Sequence, residues 1–202
     1  MLSAVDLGCK NGNAMDMACK QFGYSPEACL AIDCKREYEQ TIQHKGYHFL
    51  CCPVDGQTDL IEASTYLAFH FLEHVPSVDD ARQIVENMMR ASTNMVWIRI
   101  PNFSDDELRL VEFGLRFAWT KWTGHTAPVL VDDVLRAMKK SGVQHKVEIS
   151  KLKPIMNTAH AEVVFEDAPI DTVFHDPANG PKQDGEFLPP LAGEFEIKAR
   201  IL

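Results

Sequence analysis

Residues 5–12 read VDLGCKNG, and this stretch decides the fold. The apolar run at residues 2–7 predicts a short buried β-strand that ends at Gly8. After a glycine-containing turn, apolar residues recur at helical spacing over residues 14–22, and Gly23 is a natural end for that helix. A strand, a glycine turn and a helix in this order predict the first unit of an α/β sheet.

Strand and helix patterns alternate along most of the chain. The further predicted strands are residues 28–32, 47–51, 66–71, 95–100 and 147–149, and the predicted helices are 37–44, 77–89 and 132–140. In residues 195–201 apolar and charged side chains alternate, which predicts a half-exposed edge or antiparallel strand. Strands separated by helices pair in parallel through right-handed crossovers, so we predict a mostly parallel sheet.

Two segments break this alternation. Apolar residues on two helical faces predict a helix within residues 104–126, an insertion that a ligand, a lid or another subunit would cover, or that packs as an ordinary insertion. Residues 153–190 are Pro-rich and predict a long loop, with a weak strand pattern at 163–165. We assign both segments to a single domain spanning residues 1–202.

Composition limits the classes of partner. The chain has 29 acidic and 20 basic residues, a formal net charge of −9, and an acidic surface repels phosphate backbones, so we predict no nucleic-acid partner. All six cysteines lie within the first 52 residues, with no C-x-x-C spacing and no signal peptide. This favours buried free thiols in a reducing cytoplasm. No apolar run approaches the length of a membrane span, so no membrane partner is expected.

The glycine spacing of the first turn separates two classes of ligand. A dinucleotide-binding turn needs glycines at positions 8, 10 and 13, and only Gly8 fits. An S-adenosylmethionine turn, D-x-G-x-G-x-G, needs them at 8, 10 and 12, and here Asp6, Gly8 and Gly12 match while Lys10 does not. S-adenosylmethionine has no pyrophosphate for the backbone to approach closely, so Lys10 is less damaging for that ligand.

An acid follows the second predicted strand. Asp33 comes 21 residues after Gly12, where a carboxylate can accept hydrogen bonds from both ribose hydroxyls of an adenosine. Cys34 and Lys35 would then flank the adenine. The alternative is that Asp33 only caps the next turn. Asp6 could either order the glycine turn or pair with the ammonium group of the ligand.

Three later motifs continue the pattern. Residues 68–76 read AFHFLEHVP, residues 96–102 end in Ile-Pro-Asn, and residues 124–126 read GHT ahead of the helix that includes residues 131–135. In this order and spacing the motifs resemble those of the class I S-adenosylmethionine-dependent methyltransferases, and in particular the small-molecule methyltransferase type 11 group. The resemblance covers roughly residues 4–150 and the last strand.

The resemblance implies an α/β fold with a doubly wound, mostly parallel seven-stranded sheet, an antiparallel last strand and helices on both faces. S-adenosylmethionine would lie over the first turn, with residues 69–70 at its methionine end and Asp55 or the backbone of residues 51–52 at its adenine. The implied cofactor-binding residues are Asp6, Gly8, Cys9, Lys10, Gly12, Asp33, Cys34, Asp55, Phe69 and His70. The chain departs from the family at Lys10, at Ser64, where an aspartate often begins the fourth strand, and in the helical segment that relatives carry before the first strand.

Residues 70–74, HFLEH, also match H-x-x-E-H, a zinc-peptidase motif. That chemistry requires both histidines on one face of a continuous helix, with a third ligand further along the chain. Pro76 disfavours a helical residue before it, and the preceding residues indicate a strand. We therefore predict no metal site.

Methyl transfer from a sulfonium is an in-line displacement, and the protein contributes mainly by holding the reactants close and aligned in a dry site. An oxygen nucleophile would benefit from a general base, for which histidine is suited near neutral pH. His70, His74 and His125 are candidates because the resemblance places them near the carboxyl edge of the sheet, although a structural role is the commoner one for any single histidine. Glu73 could orient His70.

The predicted function is a methyltransferase that acts on a small-molecule acceptor through oxygen, nitrogen or carbon. The residues predicted to form its acceptor pocket or lid are Phe113, Phe117, Trp119 and Trp122. A catalytically weak or inactive methyltransferase-like scaffold is the alternative, which Lys10 motivates. An NAD-dependent oxidoreductase is a third alternative, which the glycine spacing disfavours. A homodimer is compatible with the two-sided apolar helix.

Overall fold

The computed structural model describes residues 1–104, 106–172, 182 and 184–202, and of residues 106–108 it describes the backbone. The strands are β1 (Leu2–Leu7), β2 (Cys29–Asp33), β3 (His48–Cys51), β4 (Ala63–Phe69), β5 (Ser92–Pro101), β6 (Leu115–Phe117), β7 (His145–Asn157), β8 (Val163–Phe165) and β9 (Glu186–Ile201). The α-helices are α1 (Asn13–Phe22), α2 (Glu39–His44), α3 (Val78–Ala91), α4 (Asp106–Val111) and α5 (Val131–Lys140). Strands and helices alternate from β1 to β3, as the sequence predicts, and β4 then follows β3 without a helix between them.

Seven strands form one sheet in the order β3-β2-β1-β4-β5-β9-β7. Strands β3 to β5 in this order pair in parallel, and β9 runs antiparallel to both β5 and β7. The strand order reverses between β1 and β4, so the carboxyl ends of those strands open a crevice of the kind in which ligands of α/β sheets bind. The predicted fold class is confirmed.

Helices cover both faces of this sheet. Successive side chains of a strand point to opposite faces, and β1 contributes Val5 and Leu7 to one buried cluster and Ala4 to another. The first cluster includes apolar residues of α3 and α5, and the second includes those of α1 and α2. A nearly continuous apolar β1 is therefore required, because both of its faces are buried.

Two predicted helix boundaries are confirmed with their capping groups. α1 ends at Gly23, which has a φ of +71° and donates its N–H to the carbonyl oxygen of Cys19 at 2.9 Å. Before α3, the hydroxyl oxygen of Ser77 accepts the N–H of Asp80 at 3.1 Å. Gly23 therefore sets the end of α1, and Ser77 sets the start of α3.

The helix predicted within residues 104–126 is wrong beyond its first turns. α4 ends at Val111, where the N–H groups of Phe113 and Gly114 close a tight turn and Gly114 has a φ of +65°. The chain then forms β6, which pairs antiparallel with β8. Apolar side chains of the segment pack with Val163 of β8 and Phe187 of β9 in the core of this small sheet: Leu110, Leu115, Phe117 and Trp119. A segment buried on two sides carries apolar residues in any conformation, so its periodicity did not distinguish helix from strand.

The loop predicted at residues 153–190 is partly β-structure. β7 continues to Asn157 and β9 begins at Glu186, so these two strands form a ladder much longer than predicted. The prolines of this segment predicted a loop because proline is rare inside sheets. Pro154, however, lies on β7 at the edge of the sheet, where proline is tolerated. The weak strand pattern at residues 163–165 is confirmed as β8. Residues 173–181 and 183 of the predicted loop lie outside the described part of the chain.

The last strand is antiparallel, as predicted, but its predicted edge position is wrong. β9 lies between β5 and β7, and β7 forms the edge. Arg200 is exposed, as the alternation suggested, but Glu196 is buried. Glu196 accepts hydrogen bonds from Trp97 at 2.8 Å and pairs with Arg99 at 2.7 Å, which allows an acid inside the sheet.

All six cysteines are free thiols, as predicted, although not all are buried: Cys34 is exposed. Within the described ranges, no helix has both the length and the apolar character that a membrane span would need.

Candidate functional site

The turn after β1 has two glycines with positive φ angles, a backbone conformation that glycine adopts more readily than any other residue. Gly8 and Gly12 have φ values of +69° and +78°. A Cβ added at Gly8 would lie 2.5 Å from Cδ2 of Phe71, and one added at Gly12 would lie 2.8 Å from Cδ1 of Ile42. Both glycines are therefore required, by conformation and by the close approach of neighbouring side chains.

Lys10, the departure from the family spacing, adopts the conformation of the glycine it replaces. Its φ is +45°, in the left-handed region, and its side chain points to solvent. Its backbone N–H donates to Oδ2 of Asp33 at 3.0 Å. The lysine therefore leaves the turn intact, at a conformational cost on the order of 1 kcal/mol.

Replacing Lys10 with Gly is expected to leave the free energy of unfolding unchanged or to raise it by up to about 1 kcal/mol, because relief of the left-handed strain opposes the greater backbone entropy of glycine. Urea denaturation measures this directly. The control is Lys20→Gly in α1, where glycine should cost about 1 kcal/mol. A loss of stability in Lys10→Gly as large as that in the control would contradict the strain assigned to the turn.

Asp33 ties the turn to the end of β2. β1 and β2 are neighbours, and the N–H groups of Gly8 and Cys9 both donate to the carbonyl oxygen of Ile32, at 2.9 and 3.1 Å. The Asp33 carboxylate accepts the N–H of Lys10 on Oδ2 and the N–H of Lys35 on Oδ1, the latter at 2.9 Å. Each oxygen keeps a further lone pair, because a carboxylate can accept about four hydrogen bonds. The carboxylate therefore caps the turn and can still accept bonds from a ligand.

A cleft of about 760 Å³ opens beside this turn, at the crevice between β1 and β4. The predicted site residues that line it are Gly8, Lys10, Asp33, Cys34, Asp55, His70 and His74. Apolar side chains and two histidine rings complete the wall, and this mixture of apolar surface with a few polar groups is typical of small-molecule sites.

Five predicted site residues do not line this cleft: Asp6, Cys9, Gly12, Phe69 and His125. Phe69 lies elsewhere because its ring packs edge-on against Trp97 at 5.1 Å and beneath the guanidinium of Arg99 at 4.5 Å. Cys9 and Gly12 belong to the turn itself and are buried, so their predicted contact with the cofactor stays a prediction.

Asp6 lies beneath the turn with 1% of its surface exposed. Among the described residues, its Oδ2 has no hydrogen-bond partner. Burial, with a further contribution from Asp33, holds the pKa of this carboxyl well above its usual range. Asp6 is therefore a buried carboxyl group next to Asp33, with one oxygen that has no partner among the described residues.

Several cleft residues were missed by the sequence reasoning: Tyr38, Pro53, Val54, Phe71, Val75 and Gly124. Phe71 was assigned to the fourth strand, but β4 ends at Phe69 and His70 has a φ of +51°. This bend turns the Phe71 ring onto Gly8. A positive φ is uncommon at residues other than glycine, and although histidine is enriched there, a single histidine does not indicate a bend, so the bend was not predicted.

His70 lies between two glutamates. Its Nε2 is 3.0 Å from Oε1 of Glu194 on β9, and its Nδ1 is 3.5 Å from Oε1 of Glu73. Burial lowers the pKa of His70, but the hydrogen bonds to Glu194 and Glu73 outweigh it and raise the pKa to about 9. This environment favours the protonated ring, which has no lone pair to accept a proton. The predicted role of general base does not fit this environment.

His74 and His125 form a second pair of rings, with centroids 4.8 Å apart. Nδ1 of His74 is 2.7 Å from the carbonyl oxygen of Gly124, and Nδ1 of His125 is 2.9 Å from that of Trp119. A carbonyl only accepts, so Nδ1 carries the proton in both rings. Burial lowers the pKa of His125. The zinc-peptidase helix is absent from this described segment, since residues 72–74 form one 3₁₀ turn.

The aromatic residues predicted to form an acceptor pocket or lid divide into two sets. Phe117 and Trp119 stack at 4.5 Å inside the core of the small sheet, so they are not free to contact an acceptor. Trp122 is partly exposed and lies 5.0 Å from the ring of His125, and Phe103 lies 5.8 Å from the same ring. Neither of these two rings lines the cleft, but both lie beside His125, whose ring contacts that of the cleft residue His74.

The sequence matches no protein-family model and no curated protein. Solved structures do match. Magnesium protoporphyrin IX methyltransferase from Synechocystis, with bound S-adenosylhomocysteine, is 11% identical, with 98% of this chain and 74% of that chain covered and a TM-score of 0.59. A SAM-dependent methyltransferase from Methanosarcina mazei is 11% identical; the match covers 99% of this chain and 92% of that chain, with a TM-score of 0.56. The N-methyltransferase NodS from Bradyrhizobium japonicum is 8% identical; the match covers 99% of this chain and 85% of that chain, with a TM-score of 0.54. The chain therefore has the fold of the class I S-adenosylmethionine-dependent methyltransferases.

Proposed function

We propose that the chain binds S-adenosylmethionine in the cleft and transfers its methyl group to a small-molecule acceptor. The observation that carries this proposal is the double attachment of Asp33, whose two oxygens hold the N–H groups of Lys10 and Lys35 at the floor of the cleft. The attachment fixes a carboxylate next to a glycine turn at the point where the strand order reverses. The fold shared with the solved methyltransferases supports the same ligand.

The lining of the cleft suggests how the ligand is held. The remaining lone pairs of Asp33 would accept the two ribose hydroxyls. Val54, Pro53 and Tyr38 line the part of the wall that continues from Asp33, and their apolar surface suits an adenine ring. We place the methionine end of the ligand on the opposite side of the turn, near Phe71 and His70, where the wall is contributed by the segment after β4.

S-adenosylmethionine supplies an electrophilic methyl group on a sulfonium. The residues of this chain would contribute by orientation and by excluding water, since the transfer is an in-line displacement. Phe71 covers the turn, and Val75 and Pro76 extend the apolar wall. His70, whose two ring nitrogens face Glu73 and Glu194, would keep a fixed ring orientation in the wall beside the ligand.

Charge and shape favour a small acceptor. The net charge of −9 opposes binding to nucleic acid, and the cleft has the volume of a small-molecule site. The acceptor would enter on the side of His74 and Gly124, beside the partly exposed rings of Phe103 and Trp122. The free thiols fit a protein of the reducing cytoplasm.

Ligand binding is tested by thermal unfolding. A ligand at about 100 times its dissociation constant stabilises the folded state by about 2.7 kcal/mol, which for a chain of this size raises the melting temperature by roughly 5–10 °C. We expect that shift with S-adenosylmethionine and with S-adenosylhomocysteine, and no shift with NAD. A shift with NAD alone would refute the proposal, and no shift with any of the three would favour a scaffold without cofactor.

Transfer itself is tested separately. Mass spectrometry of small molecules that copurify with the protein would identify the bound nucleoside and any retained acceptor. We expect S-adenosylmethionine or S-adenosylhomocysteine in the bound fraction. Formation of S-adenosylhomocysteine on incubation with candidate acceptors would then measure turnover, and binding without turnover for any acceptor class would favour the scaffold.

A further inference from the structure

Three potential metal ligands converge at the mouth of the cleft. One ligand atom from each of Glu73, His74 and His125 lies within 4.8 Å of the other two. Glu73 and His74 belong to the turn after β4, whereas His125 comes from the segment before α5. Two imidazole nitrogens and a carboxylate oxygen are the ligand types that Zn²⁺ and related divalent ions take in proteins.

The two histidines are oriented as metal ligands are. Each donates its Nδ1–H to a backbone carbonyl, at 2.7 Å for His74 and 2.9 Å for His125. The donation fixes the tautomer, so that Nε2 of each ring carries a lone pair. Metal-binding histidines almost always hold their second nitrogen in this way, which sets both the ring orientation and the basicity of the ligand.

Glu73 supplies an unsatisfied acceptor. Its side chain is 1% exposed, and Oε1 pairs with His70, but Oε2 has no hydrogen-bond partner in the described part of the chain. An unpaired oxygen of a buried carboxyl group is costly and calls for a partner. A cation bound between Oε2 and the two imidazoles would satisfy this oxygen.

The backbone holds the three groups in one frame. The N–H of Ala127 donates to the carbonyl oxygen of Glu73 at 3.1 Å, and the hydroxyl of Thr126 donates to the carbonyl oxygen of Val75 at 2.5 Å. With the bond from His74 to Gly124, these contacts join the two segments at three consecutive points. The frame exists before any ion binds, which lowers the ordering cost of binding.

We propose that Glu73, His74 and His125 bind one divalent transition-metal ion through a carboxylate oxygen and two Nε2 atoms. With bonds of about 2.1 Å, tetrahedral ligands lie roughly 3.4 Å apart, so a small rotation of the exposed His74 ring closes the site. Three protein ligands leave a coordination position open, as in catalytic rather than structural zinc sites. His74 also lines the cleft, so that position faces the side from which an acceptor would enter. Only this last step, the role toward an acceptor, rests on the proposed function.

The H-x-x-E-H motif at residues 70–74 contributes two of the three proposed ligands, Glu73 and His74, but not in the way that a zinc-peptidase helix would. Its two histidines would need a continuous helix to share one face, and residues 72–74 form a single 3₁₀ turn instead. His70 is not part of the proposed site, since its Nε2 is taken by Glu194. The proposed site uses His125 instead, which is distant in sequence from the motif, so the proposal differs from the prediction of no metal site in its pair of histidines.

The test uses Co²⁺ as a spectroscopic probe of the whole chain, purified with a chelator and without S-adenosylmethionine. We expect one Co²⁺ per chain, d–d absorption without a thiolate-to-metal band, and displacement by Zn²⁺. His74→Ala and Glu73→Gln should weaken binding by more than the roughly 10- to 100-fold that loss of an outer-shell partner costs. His74 is exposed, so its variant should fold normally even if the buried Glu73 variant does not.

Two control variants separate this site from incidental binding. His44→Ala removes an exposed histidine on α2, and Cys34→Ser removes the exposed thiol, and both should bind Co²⁺ as the parent does. Unchanged binding in His74→Ala, or binding lost in Cys34→Ser, would overturn the proposal. Because the readout contains no cofactor, a failure here leaves the proposed methyl transfer unaffected, and a failure of cofactor binding leaves the metal site unaffected.

Discussion

Replacing Asp33 with Ala is expected to weaken S-adenosylmethionine binding by about 100-fold or more. Two hydrogen bonds to a charged group, worth about 1.5–3 kcal/mol each, would be lost from the ribose. The turn would also lose the acceptor that holds the N–H groups of Lys10 and Lys35, so the variant should melt at a lower temperature. Calorimetric titration of the folded variant measures the affinity.

A second variant separates the two roles of the carboxylate. Asp33→Asn keeps the size of the side chain and one of the two acceptors for the N–H groups of Lys10 and Lys35, so it should lose less stability than Asp33→Ala but still lose much of the affinity. Asp132→Ala, which removes an exposed acid on α5, is the control for a change of net charge and should bind as the parent does. Unchanged affinity in Asp33→Ala would exclude the ribose contact, whatever happened to stability.

Sequence was sufficient for the features that depend on local chemistry. The turn at Gly8 and Gly12 and the acid at Asp33 were predicted because a left-handed backbone requires glycine and a strand end presents its side chain to the crevice. The cap at Gly23 was predicted because it also needs a left-handed backbone, and the cap at Ser77 because a hydroxyl oxygen accepts a free N–H at the start of a helix. In each case one residue and its immediate neighbours determine the conformation.

Sequence failed where distant segments decide the environment. The charged state of His70 depends on Glu194, which β9 brings beside it only because that strand lies inside the sheet. The pairing of His74 with His125 likewise requires the segment before α5 to fold back onto the turn after β4. The helix predicted within residues 104–126 is wrong beyond α4 because the apolar residues after α4 form β6, which pairs with β8, and pack against residues of β8 and β9. No local pattern carries that information.

Gly8→Ala is expected to be the most damaging single-methyl change in the turn. The added Cβ would meet the Phe71 ring at 2.5 Å, and the residue would also need a φ of +69°. The left-handed backbone should cost roughly 1–2 kcal/mol, and the collision a further 1–3 kcal/mol. The combined loss would appear in the urea midpoint. Displacement of Phe71 into the cleft should also reduce cofactor affinity.

Gly23→Ala is a matched control for the backbone contribution, because Gly23 has a φ of +71° and its added Cβ would meet no atom within 4 Å. The difference in unfolding free energy between Gly8→Ala and Gly23→Ala therefore isolates the collision with Phe71. Adding Phe71→Ala to Gly8→Ala should remove that difference, giving a coupling energy of about 1–3 kcal/mol in a double-mutant cycle. Equal losses in the two glycine variants would mean that the ring moves aside freely. The cleft wall would then be adaptable at the turn, and Gly8 would be required for its backbone conformation alone.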